Sequence, residues 1–171
     1  MIKMISRMKK TLWFPPLALA LCALILWTVQ GLGLTLVQVR GPSMVPSYAD
    51  GQVLFVNRLA YGLQEPIIGD YLWIWKAPVL GDPVVVKRPE GTWVVKRVAG
   101  LPGMTLRVAD HRLSVGNRQV PLSAAQEYWL AACPRVPEGN LFLLGDNLDR
   151  SRDSRDWGFV PFADVLGRSF F

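Results

Sequence analysis

Thr92-Trp93-Val94-Val95-Lys96-Arg97-Val98-Ala99 is the stretch on which the fold turns. It is a short run of β-branched and aromatic residues interrupted by two cations. The two-residue period of a strand puts Val94, Lys96 and Val98 on one face and Trp93, Val95, Arg97 and Ala99 on the other, so Lys96 projects among valines. Two outcomes stand open. If that face is buried, desolvation of the ammonium lowers the lysine pKa and supplies a neutral amine able to act as a general base. If the strand lies at an edge, the amine snorkels to water and does nothing.

Around this stretch the same pattern repeats. Gln52 to Asn57, Asp70 to Trp75, Pro83 to Arg88, Thr105 to Ala109, Arg112 to Val115 and Asn140 to Leu144 are short, β-branched or aromatic, and separated by Gly, Pro and Asp. Such punctuation predicts strands in an all-β sandwich or barrel. Arg112 to Val115, Gly116-Asn117 and Arg118 to Pro121 form a predicted tight hairpin, which makes His111, beside Asp110, a turn residue. Ser123 to Ala132 is the one segment of this region expected to be helical. No repeats or low-complexity segments are present.

Ahead of the β region the chain changes character. From Leu12 to Val39 the side chains are almost all apolar, long enough to cross a bilayer, with the spanning helix expected from about Pro15 to Leu36. Lys3, Arg7, Lys9 and Lys10 precede it, and residues 1–39 hold no acid. The organisation expected is therefore a basic cytoplasmic N-terminus over 1–11, a transmembrane signal anchor over 12–39 and an extracytoplasmic domain over 40–171. Ala18-Leu19-Ala20 offers a small-x-small cleavage site, but Leu21 to Val29 still follow it, which argues for an uncleaved anchor. Of the net charge of +6, these four cations leave only +2 for the remainder, which makes no electrostatic case for nucleic acid. Cys22 falls in the apolar run and Cys133 outside it, so both are expected to be free, with Cys133 a small buried residue rather than a nucleophile.

Two further stretches carry hydroxyls and charges. Gly41-Pro42-Ser43-Met44-Val45-Pro46 holds one serine between two prolines where the apolar run ends, so its backbone is restricted before any partner arrives. Gly145 to Gly158 alternates Asp146, Asp149, Asp153 and Asp156 with Arg150, Arg152 and Arg155 and includes Ser151 and Ser154. The interleaved arginines and the lack of a closing acid fit no calcium loop. Internal Asp–Arg pairs are expected instead, with no metal and no cofactor.

Taken in order, these stretches resemble the bacterial type I signal peptidases, membrane-anchored serine proteases with a serine–lysine dyad. Gly41 to Ser47 resembles the nucleophile box of that family and Gly81-Asp82-Pro83-Val84-Val85-Val86 its central strand. Val95-Lys96-Arg97 through Gly103 resembles its lysine box, and Gly145-Asp146-Asn147 through Pro161 its C-terminal box. The resemblance runs from the anchor to the end of the chain and implies an all-β, signal peptidase-like ectodomain behind one N-terminal transmembrane α-helix.

It also implies roles. Ser43 would be the nucleophile, Lys96 the general base and Ser151 the hydroxyl that orients the lysine amine. Arg97, Asp146, Asp153 and Arg155 would be structural supports, the last two as an ion pair. The chemistry of the residues is consistent with this, because a serine needs a base and the only histidine is a turn residue. The Ser43 N–H would stabilise the oxyanion. A second donor is open, because Gly41 stands where some relatives carry an assisting serine, leaving a main-chain N–H as the alternative. Met44 and Val95 would line shallow pockets for small side chains. Leu148, Arg150 and Gln52 also depart from the family pattern, without touching the dyad.

The substrates implied are signal peptides of exported preproteins, cut after Ala-x-Ala at the outer face of the plasma membrane. Membrane lipid would be a further partner, and the secretion translocase is left open as another. Two readings stand open for Trp73, Trp75, Trp93, Phe55 and Phe170-Phe171: some of them form an exposed apolar patch against the outer leaflet, or most of them are core and strand-pair residues. The rival readings are a specialised relative that processes pilus or conjugation proteins, a self-cleaving repressor-type protease, and a silent anchored β-domain that binds exported proteins.

Overall fold

The computed structural model describes residues 16–22, 24, 33–65, 70–88, 90–116 and 118–170. Twelve strands among them make the architecture mostly β, as the alternation predicts. β1 (Leu34–Gln38), β2 (Val53–Asn57), β5 (Pro83–Lys87), β6 (Trp93–Gly100), β10 (Asn140–Leu144), β11 (Val160–Pro161) and β12 (Val165–Phe170) form one sheet in the order β1-β2-β12-β5-β6-β10-β11. β3 (Gly62–Gln64) pairs with β4 (Tyr71–Ile74). β7 (Arg107–Ala109), β8 (Arg112–Val115) and β9 (Arg118–Pro121) form a three-stranded sheet.

All of these pairings are antiparallel. β7 and β8 are joined through Asp110 and His111, both at positive φ (51° and 56°), the left-handed geometry that a two-residue hairpin turn demands. His111 is thus the turn residue expected, with its Nδ1 at 2.5 Å from Glu127 Oε2.

Two helices interrupt the strands. α1 (Ala124–Ala132) begins at a capping box, the Ser123 hydroxyl accepting from the Gln126 N–H while the Gln126 side chain accepts from the Ser123 N–H. Two of the first turn's orphan donors are satisfied in this way. α2 (Ser154–Trp157) is one turn capped the same way by Asp153 and Asp156.

The core divides around β5 and β6. Val84, Val86 and Val98 pack with Leu141, Leu143, Val160 and Val165, whereas Val85 and Val95 pack on the other face with Met44, Leu54 and Val56. Both faces of these central strands are therefore covered, which explains why Pro83–Lys87 is a continuous valine run rather than an alternation. Each fully buried valine contributes roughly 1.5–3 kcal/mol.

Three expectations need correction. β1 pairs along its length with β2, so residues 34–38 belong to the sheet and not to a spanning helix running to residue 36 or 39. Cys133 is free but exposed, because it caps the C-terminus of α1 instead of filling the core. β3, β11 and β12 were not anticipated. Residues 16–22 are helical, and among the described residues no helix is long and apolar enough to cross a membrane. Residues 1–11, residues 12–15, 23 and 25–32 of the expected anchor, the Asn117 turn position and Phe171 lie outside the described residues.

Candidate active site

Gly41 has φ +82°, a conformation that side chains rarely adopt, and it turns the chain from the end of β1 into a single 3-10 turn, Pro42–Met44. Met44 is fully buried against Val95 and Val85. Ser43 rides on that anchored turn. The Gly41 N–H is not free for an oxyanion, since it donates to Asp50 Oδ1 at 2.7 Å. The main-chain donor considered at Gly41 is thus engaged by a carboxylate in this structure.

Lys96 is 2% exposed. It sits at the middle of β6, where Val84 is its partner on β5 and Val94 and Val98 flank it on the same face. Of the two outcomes left open by the sequence, burial is the one realised. Desolvation pushes the lysine down to about 8, the Asp153 carboxylate opposing and the Arg88 and Arg155 cations assisting. Its Nζ donates to Ser151 Oγ at 3.0 Å. Among the described residues no hydrogen bond links Lys96 Nζ to Ser43 Oγ directly.

The charged stretch after β10 brings Ser151 and Ser43 together. The Asn147 N–H donates to the Ser43 carbonyl at 3.0 Å. A Cβ on Gly145 would collide with both the Ser151 side chain and that same Ser43 carbonyl. Only a glycine allows the nucleophile turn and the Ser151 turn to close on each other there.

The turn is held by paired charges. Asp153 is fully buried and accepts from Arg155 Nε (2.9 Å) and Nη2 (3.1 Å) and from the Gly145 N–H (3.0 Å). Arg155 also donates to the carbonyls of Leu148 (2.7 Å) and Ser151 (3.2 Å), so both buried charges of this pair are partnered. Asp146 accepts both forks of Arg97, from Nε at 2.7 Å and Nη2 at 2.6 Å. Burial would push its carboxyl up, but the bonds from Arg97 and Ser47 and the charges of Arg97 and Arg118 hold it below the usual range.

The expected Asp153–Arg155 pair is present, and Arg97 and Asp146 prove to be partners. Sequence reasoning missed four contributors: Asp50, Ser47, Gly145 as a contact point, and Ser154, whose Oγ accepts from the Leu143 N–H at 2.9 Å. Gly145 stood in a quoted motif. Ser47 and Ser154 likewise stood in quoted stretches, whereas Asp50 carried no local signal.

A groove runs beside the turn, lined by Val37, Val39, Ser43, Met44, Trp93 and Val95 among others. Strand β10 covers β6 only from Arg97 to Gly100. That leaves the Trp93 to Lys96 half of β6 unpaired on the side away from β5, while β1 is the outer strand at the sheet's other end. An extended peptide has a strand edge to pair with. Among the described residues no cluster of His, Cys, Asp and Glu is suited to hold a metal.

The family model for signal peptidase, peptidase S26, matches residues 11–171. Among curated proteins, the probable signal peptidase I-1 of Synechocystis sp. is 33% identical over 136 residues, 78% of this chain and 67% of that protein. The signal peptidase I of Pseudomonas fluorescens is 30% identical, over 78% of this chain and 62% of the relative. The signal peptidase I V of Bacillus subtilis is 28% identical over 94% of this chain and 96% of its own length. The chain thus spans about two thirds or less of the first two relatives and nearly all of the third. Among solved structures, a signal peptidase I from Enterococcus faecalis aligns with a TM-score of 0.41 at 33% identity, over 54% of this chain and 97% of that one.

Proposed function

Because this chain belongs to the signal peptidase family, peptidase S26, we propose that it is a membrane-anchored serine endopeptidase that removes signal peptides from exported preproteins after Ala-x-Ala sites. The observation that carries the reading is the Lys96 amine, buried, lowered to about 8 and hydrogen-bonded to Ser151 Oγ at 3.0 Å, beside the turn that bears Ser43.

In the proposed mechanism neutral Lys96 Nζ takes the Ser43 proton as Oγ attacks the scissile carbonyl. The Ser43 N–H stabilises the oxyanion. The lysine then delivers its proton to the departing amine, leaving an ester on Ser43. Lys96 next deprotonates a water that attacks the ester, then returns that proton to Ser43 Oγ as the acyl–oxygen bond breaks, which frees the carboxylate of the signal peptide and restores both residues. Ser151 holds the amine in place throughout. Substrate would add as a strand in the groove, its small side chains against Met44 and Val95, both almost fully buried and so leaving little depth. Residues ahead of β1 would anchor the chain, with the N-terminus in the cytoplasm and the domain outside, where exported chains and lipid are the partners. The translocase would be a further neighbour.

The test is cleavage of a purified precursor bearing an Ala-x-Ala site by the intact protein and by Ser43→Ala and Lys96→Ala. The intact protein should cut after the second alanine with a rate that rises as pH passes about 8, and both variants should be inert. Activity surviving in either variant overturns the dyad. Equal inertness of all three on several precursors would favour a silent binding domain.

A further inference from the structure

The surroundings of Lys96 extend past Ser151. Its Nζ lies 5.9 Å from the centre of the Trp157 ring, and the Arg88 guanidinium carbon lies 5.4 Å from the same centre. Arg88 directly follows β5 and Trp157 ends α2. The fold therefore brings a second cation to the ring that the amine faces.

Trp157 packs against the same apolar cluster as Val94 and Val98. Its Nε1 is buried with no hydrogen-bond partner among the described residues, and so is Arg88 Nε. A buried N–H without an acceptor is destabilising, so the ring is retained there for its bulk and its face and not for its polar edge. Trp157 and Arg88 both line an open cleft with Phe159 and Asp164, whereas Lys96 does not line it.

The other charges that bear on Lys96 are Asp153, Asp146 and Arg155. Asp153 is neutralised by Arg155, and Asp146 by Arg97. Arg88 is paired with Glu90, but Glu90 is 48% exposed, so water weakens its share while the guanidinium stays on the indole.

We propose that Trp157 and Arg88 are positioning residues for the Lys96 amine. The indole excludes water from the amine, which outweighs the weak cation–π attraction that its face offers an ammonium at 5.9 Å, and Arg88, held against the same ring, disfavours a second positive charge there. The amine is thereby kept in its proton-accepting form. This rests on Lys96 being the general base, as proposed above, and it adds two residues that the dyad chemistry does not itself require.

The experiment uses the full chain in detergent and follows kcat/KM for an Ala-x-Ala precursor from about pH 6 to pH 10. Arg88→Met should move the ascending limb upward by about half to one pH unit, costing three- to tenfold at neutral pH while the alkaline plateau is kept. Arg88→Lys, which keeps the charge, should restore the original limb. Trp157→Phe should leave the limb in place, since no hydrogen bond is lost, and Trp157→Ala should move it upward.

Carbon-13 titration of Lys96 in the Ser43→Ala background reads the same shift without any catalysis. If Arg88→Met and Trp157→Ala titrate like the parent, or lose activity evenly at every pH with the midpoint unmoved, the proposal is overturned. If Lys96→Ala itself retains activity, it is the dyad reading that fails.

Discussion

A lysine at 2% exposure in the middle of a valine-rich strand face is an unfavourable choice for stability. Its protonated form must be taken out of water, and the lowering of its pKa from 10.5 to about 8 measures that cost. Linkage fixes the pH window. Below about 8 the amine is protonated in both folded and unfolded chains, and the full penalty is present. Between 8 and 10.5 the unfolded chain still binds the proton that the folded chain has released, so stability recovers as pH rises. Above 10.5 neither state carries the charge and the penalty is gone. Lys96→Met, which keeps the length and removes the charge, should therefore be inert yet more stable than the parent at pH 7, by about 2–3 kcal/mol. Urea melts of both proteins near pH 7 and pH 10.5 check this, with the gap closing at the higher pH. A variant less stable at neutral pH would mean that the Ser151 hydrogen bond outweighs the desolvation.

At the scale of elements, the site is a junction of three segments far apart in the chain: the Ser43 turn, β6, and the charged turn after β10. Gly145 is where two of them touch. In a Gly145→Ala variant the new Cβ meets the Ser43 carbonyl, which is backbone and cannot swing aside, so the turns must separate. A displacement of about 1 Å costs on the order of 100-fold in rate. Gly145→Ala should show that loss in kcat while Asp153, Arg155 and the core keep the fold, as near-unchanged circular dichroism would verify. Unchanged kcat would mean that the two turns need not touch. The strands carrying the site were legible because burial imposes its period on sequence. Val94, Lys96 and Val98 share a face in the chain as in the fold, and the Asp153–Arg155 pair announced itself by alternating charges. β1 was not legible, because Leu34-Thr35-Leu36-Val37-Gln38 continues an apolar run and one-dimensional hydropathy does not separate a membrane segment from a strand that follows it. β12 was hidden by Gly167, which stands at a register shift against β5. The Gly41–Asp50 bond was invisible because a backbone N–H leaves no trace in the sequence.

At the scale of the molecule, the unused apolar surface is organised by the same sheet. Leu36 on β1 is in register with Phe55 on β2, and Phe55 with Phe170 on β12, so the three side chains form one row across adjacent strands. They are 60%, 48% and 43% exposed, with the two phenylalanine rings stacked at 6.1 Å. Leu34 and Val53 flank the row on the same face of β1 and β2, opposite Asn57 and Gln38, and Trp73 and Trp75 are exposed on and just after β4. A soluble surface seldom leaves so many large apolar side chains together without a partner. Here the apolar run of residues 12–33 leads straight into Leu34, which tethers this end of the sheet to whatever that run occupies. Lipid is the occupant this argues for. A chain beginning at residue 33 should float with phospholipid vesicles, and Leu36→Ser together with Phe55→Ser should weaken partitioning by about ten- to a hundredfold, in line with the apolar area removed. Trp73→Ser with Trp75→Ser tests the second patch separately. Vesicles that leave the shortened chain wholly in the aqueous fraction would show that the row is not a lipid contact, and dimerisation of that chain in sedimentation would identify a second copy as what covers it.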